Sequence, residues 1–124
     1  MQVHSTSPLL RPETIAAGLA ALDASTEHDS LFSVTRLQTR LYDAESQPVN
    51  HNPVVLLRTQ DLPPLYEENS GMYVFSRAQI SEGRRFGDRP LLFEIDPLEA
   101  TDIDEEPDFV LAETLHRMQR EGLL

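Results

Sequence analysis

The sequence predicts an α/β fold with a partly parallel sheet, and three observations carry that expectation. Residues 31–37 alternate and are rich in β-formers, the pattern of a strand. Pro12 opens a segment in which Ile15, Leu19 and Leu22 share one helical face. Residues 1–4 read as the tail of an earlier strand. Strand, loop, helix and strand in that order make a βαβ unit, which implies parallel strands and a right-handed crossover.

The chain has 124 residues, enough for one domain, and its 40% hydrophobic content is enough for a real core. A net charge of −11 argues against nucleic acid, which calls for a basic face. The absence of cysteine excludes a disulfide framework and a thiolate zinc site. No apolar run approaches membrane-spanning length, and Met1-Gln2-Val3-His4 does not read as a signal peptide. A soluble cytoplasmic protein is the expectation. All ten basic residues are arginines, and the five glycines are scattered. The chain therefore carries neither a glycine-rich phosphate cradle nor a phosphate-binding lysine.

Taken in order, the polar loop Ser5-Thr6-Ser7-Pro8 links the first strand to the first helix. At the carboxyl edge of a parallel sheet its hydroxyls could hold a polar ligand, or they could only satisfy the helix start. Residues 38–58 form a hairpin-like excursion around a polar turn. Its apolar residues suit either an oligomer contact or an ordinary surface hairpin. Residues 58–71 are a long polar segment broken by Pro63 and Pro64, and such loops inside a compact domain are usually functional or disordered. A short strand over 72–75, a helical turn over 76–81 and a strand over 90–95 follow. Between the last two, Arg84, Arg85 and Arg89 make a basic group that reads as a solvated loop or an anion site. The four histidines (His4, His28, His51 and His116) are too dispersed for a metal cluster, and no nucleophile elbow is present.

Residues 105–120 read as a helix, with Leu111, Leu115 and Met118 on one stripe and Phe109 and Ala112 beside it. Just before it stands Asp102-Ile103-Asp104. On an extended backbone the two carboxylates point the same way and Ile103 faces the core. Where a strand gives way to a helix, such a pair could hold Mg²⁺, which accepts one or two carboxylates and completes its shell with water and phosphate oxygens. The plainer alternative is that Asp104 caps the helix and Glu105 and Glu106 favour its dipole.

Three segments share one known pattern: Ser5-Thr6-Ser7-Pro8-Leu9-Leu10-Arg11; Arg58-Thr59-Gln60-Asp61-Leu62-Pro63 followed by Glu67-Glu68-Asn69-Ser70-Gly71-Met72-Tyr73-Val74-Phe75; and Asp102-Ile103-Asp104 before an acidic helix. In order and spacing they resemble the acylneuraminate cytidylyltransferases, the CMP-sialic acid synthetases, over nearly the whole chain. The resemblance implies a partial Rossmann-like nucleotidyltransferase sheet. It also implies transfer of CMP from CTP to an acidic nine-carbon sugar, with release of pyrophosphate. By the same resemblance Asp102 and Asp104 match the Mg²⁺ (or Mn²⁺) ligands, and Arg58 matches an arginine beside the active site. Thr6, Ser7, Gln60, Asn69 and Tyr73 fall at substrate-binding positions. His4 stands where many members have glutamine. Residues 38–66 correspond to a dimer arm, which implies a homodimer.

The resemblance is to the C-terminal half of such enzymes, a single partial domain over residues 1–124. The family's nucleotide-binding half, with its glycine- and lysine-containing loop, precedes the Thr6-Ser7-Pro8-Leu9 segment. Three expectations follow: a cytidylyltransferase piece inactive without a separate nucleotide-binding half, a non-enzymatic dimerising or sugar-binding remnant, or a truncated relic with no function.

Overall fold

The computed structural model describes residues Met1–Leu124. It is an α/β structure around one four-stranded mixed sheet of order β1-β3-β2-β4. The elements are β1 (Gln2–Val3), α1 (Pro12–Asp23), β2 (Ser30–Leu37), a 3-10 turn (Thr59–Asp61), β3 (Leu65–Val74), α2 (Arg77–Ser81), β4 (Pro90–Glu94) and α3 (Glu106–Arg120). No helix is long and apolar enough to cross a membrane. Two compact units are distinct: Met1–Thr35 with Glu68–Leu124, and Arg36–Glu67.

In the larger unit the parallel pair is β2 and β4, in register from Ser30 opposite Pro90 to Val34 opposite Glu94. The strands flanking α1 are not neighbours, contrary to the simplest βαβ reading. β3 lies between them and pairs with β1 in antiparallel sense, Gln2 opposite Tyr73 and Val3 opposite Met72. The core is Leu31, Val34, Met72, Tyr73 and Ile95 from the sheet region, joined by Leu9 and Ala112.

Two helices turn differently from their apolar stripes. On α1, Leu19 is 40% exposed and the buried residue is Gly18. A Cβ there would stand 2.3 Å from Met72 Cε and 3.2 Å from Phe93 Cε1. The backbone itself packs on the sheet, which rotates Leu19 outward. On α3 the buried residue is Ala112, while Phe109, Val110 and Leu111 are each about half exposed. A small residue again faces the packed side, so hydrophobic periodicity misassigned Leu111.

β3 is longer than the short strand expected over 72–75. It begins at Leu65 and takes in much of the segment read as a loop. It is irregular within its length. Ser70 takes φ 58°, the left-handed region that side chains disfavour. Beside it, main-chain donors turn to side chains: Gly71 N–H to Asn69 Oδ1 (3.2 Å) and Met72 N–H to Ser33 Oγ (2.8 Å). Ser33 Oγ donates in turn to Asn69 Oδ1 at 2.6 Å, and Asn69 Nδ2 donates to Thr35 Oγ1 at 3.0 Å. This side-chain network satisfies main-chain donors beside the left-handed Ser70. After β3, Ser76 caps α2 and Gln79 returns the bond to the Ser76 N–H, a reciprocal pair that starts even a five-residue helix.

The Arg36–Glu67 unit contains little regular structure. Its only strand-like feature outside the ends of β2 and β3 is the antiparallel bridge between Tyr42 and Pro48. Polar side chains hold its loops. Asn50 Nδ2 donates to the Thr39 carbonyl at 2.6 Å and its Oδ1 accepts from Leu41 N–H at 3.0 Å. Gln38 Nε2 reaches the Leu62 carbonyl at 2.5 Å. Val54 and Leu56 are 88% and 86% exposed, and Val55 and Leu57 continue the apolar run.

Candidate active site

The loop after β1 and the segment after β4 meet. Ile103 N–H donates to the Thr6 carbonyl at 2.9 Å. Ser7 is buried, and the loop closes on itself through Ser7 N–H to the His4 carbonyl at 3.3 Å. Thr6 therefore lies against the middle of the Asp102-Ile103-Asp104 segment. The segment 101–103 is not part of a strand. The fixed point is Ile103's amide rather than an alternating β-pattern: Asp102 is half-buried, Ile103 is half-buried, and Asp104 is exposed.

Asp102 Oδ1 accepts from the next residue's N–H at 3.1 Å. Asp104 does not cap α3. Asp108 does that work, its Oδ2 accepting from Glu105 N–H at 2.9 Å and Asp104 N–H at 3.1 Å. The acidic first turn, Glu106 and Asp108, suits the positive end of the helix dipole. The Asp104 carboxylate is thereby left for other partners, and neither aspartate is in an ion pair.

No group of three or more His, Cys, Asp or Glu side chains converges. A pair of carboxylates with no cation on either is the donor set that suits Mg²⁺, whose remaining oxygens come from water and phosphate. The chemistry of this donor set fits such an ion, and Asp102 and Asp104 are the residues that would hold it.

Behind this pair stands a residue the sequence reading passed over. Pro97 to Ala100 form turns, closed by Ala100 N–H to the Asp96 carbonyl (3.0 Å), that fold Glu99 inward. Glu99 is only 2% exposed. Its carboxylate accepts from Arg11 N–H (3.0 Å), Arg11 Nε (2.8 Å), Arg11 Nη2 (2.5 Å) and Thr14 Oγ1 (3.0 Å). Helix α1 has no side-chain cap of its own at Arg11, so Glu99 serves that end from 88 residues away. Burial pushes the Glu99 carboxyl up, but the Arg11 amide and guanidinium and the Thr14 hydroxyl outweigh it and hold it below the usual carboxylate range. The sequence signal was slight: an arginine ending the Thr6–Arg11 motif and a glutamate inside an apolar stretch.

Tyr73 is fully buried on β3. Its hydroxyl donates to Glu68 Oε1 and lies 3.2 Å from Ser70 Oγ. The Arg85 guanidinium sits over the ring, 4.9 Å from its centroid, and the His4 ring is 5.9 Å away. Burial, then the bond to Glu68, raise the phenol above its ordinary value. Arg84, Arg85 and Arg89 do not act as one basic group. Arg84 pairs with Asp88 at 2.7 Å, Arg89 is tied through its amide to Asp29 Oδ1 at 3.2 Å, and only Arg85 approaches the Tyr73 ring.

Asn69 is mostly committed to its own strand. Its oxygen serves Ser33 and Gly71 and one amide hydrogen serves Thr35, so one N–H is left for a ligand. Arg58 and Gln60 belong to the Arg36–Glu67 unit. There Arg58 Nε donates to Asp61 Oδ2 at 2.9 Å, and Gln60 is exposed on the 3-10 turn.

A four-stranded mixed sheet with helices is consistent with a partial nucleotidyltransferase fold. Residues 1–121 match the family model described as Cytidylyltransferase, and the chain belongs to that family. It is 28% identical to N-acylneuraminate cytidylyltransferase A of Danio rerio, over 90% of this chain and 27% of that protein. The chain thus spans about a quarter of the length of the curated relative it matches.

Proposed function

We propose that this chain supplies the metal and sugar side of an enzyme that transfers CMP from CTP to an acidic nine-carbon sugar of the N-acylneuraminate class. The observation that supports it most is the Ile103 N–H to Thr6 carbonyl bond of 2.9 Å, which seats the aspartate pair against the hydroxyl loop. The name of the zebrafish relative supports the sugar class.

In the reaction a sugar hydroxyl oxygen bonds to the α-phosphorus. The bond from that phosphorus to the β-phosphate oxygen breaks, the hydroxyl proton passes to solvent, and pyrophosphate leaves. Mg²⁺ or Mn²⁺ on Asp102 and Asp104, when bound, supplies the positive charge that offsets charge developing on phosphate oxygens. The chain's own residues bind and orient. Thr6 offers a hydroxyl at the sugar end, with Ser7 behind it. Arg85, exposed above the buried Tyr73 ring, presents a cationic surface to an acidic sugar, and Tyr73 supports it from beneath. Asn69 offers its one free N–H.

The 124 residues contain no lysine and no glycine-rich loop, so the triphosphate cradle comes from other polypeptide. Losing a single preorganised donor costs about 10²- to 10³-fold in rate, and here the whole nucleotide side is supplied elsewhere. The apolar run from Val54 to Leu57 is the proposed contact between two copies. A pyrophosphate-release assay with CTP, Mg²⁺ and N-acetylneuraminate tests the reading, with and without a nucleotide-binding half from a family member. Turnover is expected only on mixing. Robust turnover by this chain alone contradicts the division of labour, and none in either case favours the sugar-binding remnant.

A further inference from the structure

We propose that Glu99 is a positioning residue for the Asp102–Asp104 pair, acting through Arg11 and the Thr6–Arg11 loop. The inference rests on the reading of those aspartates as ligands of a divalent ion. Asp102 lies three residues after Glu99, and Thr6 lies five residues before Arg11. The two short segments are joined at both ends. At one end Glu99 takes four hydrogen bonds from Arg11 and Thr14. At the other, Ile103 N–H meets the Thr6 carbonyl. Leu9, Ile103 and Ala112 line the apolar groove between these segments and α3.

A closed frame of this kind fixes the backbone on both sides of Asp102. The aspartates otherwise have little to hold them, since segment 101–103 has no regular structure and Asp104 is exposed. Groups behind a metal ligand that orient it typically change metal affinity about 10- to 100-fold when removed. Glu99 is too far engaged with Arg11 to be a ligand itself. Its part is to hold the strand-to-helix connection against the loop, so that the carboxylates do not have to be ordered when the ion arrives.

Charge alone makes the opposite prediction for one of the two partners, and that separates the explanations. Removing the Glu99 charge in Glu99→Gln weakens cation binding under either account. Removing the Arg11 charge in Arg11→Gln strengthens it if only charge matters, and weakens it if the frame matters. The experiment is Mn²⁺ titration of the whole chain, followed by the electron paramagnetic resonance of free Mn²⁺. The component of interest is the one lost in the Asp102→Asn, Asp104→Asn double variant. Amide exchange at Ile103 is read in the same proteins without metal. Thr14→Val, which removes a single bond to Glu99, is the mild variant if the others unfold. Gly18→Val is the control for destabilisation away from the frame.

Both Glu99→Gln and Arg11→Gln are expected to weaken that component about 10- to 100-fold and to speed exchange at Ile103. Gly18→Val should leave the Mn²⁺ component unchanged at a temperature where it is folded. Tighter or unaltered Mn²⁺ binding in Arg11→Gln overturns the positioning role while the metal site stands. A wild type with no component removed by the double variant overturns the metal reading, and the positioning role with it.

Discussion

Ser33 and Asn69 are joined by a hydrogen bond of 2.6 Å from hydroxyl to carboxamide oxygen, and the same Ser33 oxygen accepts the Met72 amide. One buried hydroxyl thus bridges β2 to β3 where Ser70 breaks the regular backbone. Ser70 lies three residues before Tyr73, so this bridge also fixes the backbone leading to that buried ring.

Ser33→Ala should cost about 1–3 kcal/mol, because it leaves the Met72 amide and the Asn69 oxygen short of a partner in the interior. Chemical denaturation measures this directly. Asn69→Ala combined with Ser33→Ala should cost less than the sum of the two single changes. Strict additivity in that cycle would mean the two side chains do not cooperate.

Gly18→Val should destabilise by about 1–3 kcal/mol, since added methyls must displace Met72 and Phe93 in a packed core. An unchanged thermal midpoint would show that α1 sits farther from the sheet than the 2.3 Å approach to Met72 Cε requires.

Acid stability should depend on Glu99. Its folded pKa lies below the usual carboxylate value, so its contribution is fully present above about pH 4.3 and is lost as pH falls through the folded value. Glu99→Gln should lower the thermal midpoint at neutral pH and flatten its decline between roughly pH 5 and pH 2. Parallel pH profiles for the two proteins would exclude Glu99 as a source of that slope.

At the alkaline end Tyr73 governs. Its pKa is raised by burial first and by Glu68 second, so the phenol stabilises the fold below about pH 10 and that stabilisation disappears as pH rises through the folded value. Ultraviolet titration should show its phenolate appearing together with loss of tertiary circular dichroism. Tyr73→Phe should remove that limb of the stability curve.

Self-association is expected through the run from Val54 to Leu57, where two side chains are more than 85% exposed. Light scattering at high micromolar concentration should give a dimer or larger species. Val54→Asp with Leu56→Asp should give a monomer. A monomeric wild type at that concentration contradicts the contact.

Local signals were legible before the structure. Pro12 opened α1, a helical turn read over 76–81 is where α2 forms, and the alternation over 31–37 marked β2 to within one residue. The aspartate pair and the hydroxyl loop were readable as motifs. What escaped was non-local. Glu99 finds Arg11 across 88 residues, and no periodicity encodes such a partner. Gly18 and Ala112 face the packed side because small residues permit close approach, a preference that hydrophobic patterns miss. In the polar stretch Leu65–Gly71, the side chains of Ser33 and Asn69 satisfy main-chain donors next to Ser70, a partnership that only the neighbouring strand reveals.

The frame that ties Thr6 to Ile103 and Arg11 to Glu99 also dictates when the site can exist. During synthesis the hydroxyl loop leaves the ribosome long before its partners do. It waits through most of the chain, with the amino end of α1 lacking the carboxylate that completes it. Contacts this distant in sequence close slowly and late. The frame is therefore among the last parts of the molecule to mature, and a nascent or C-terminally truncated chain lacks it.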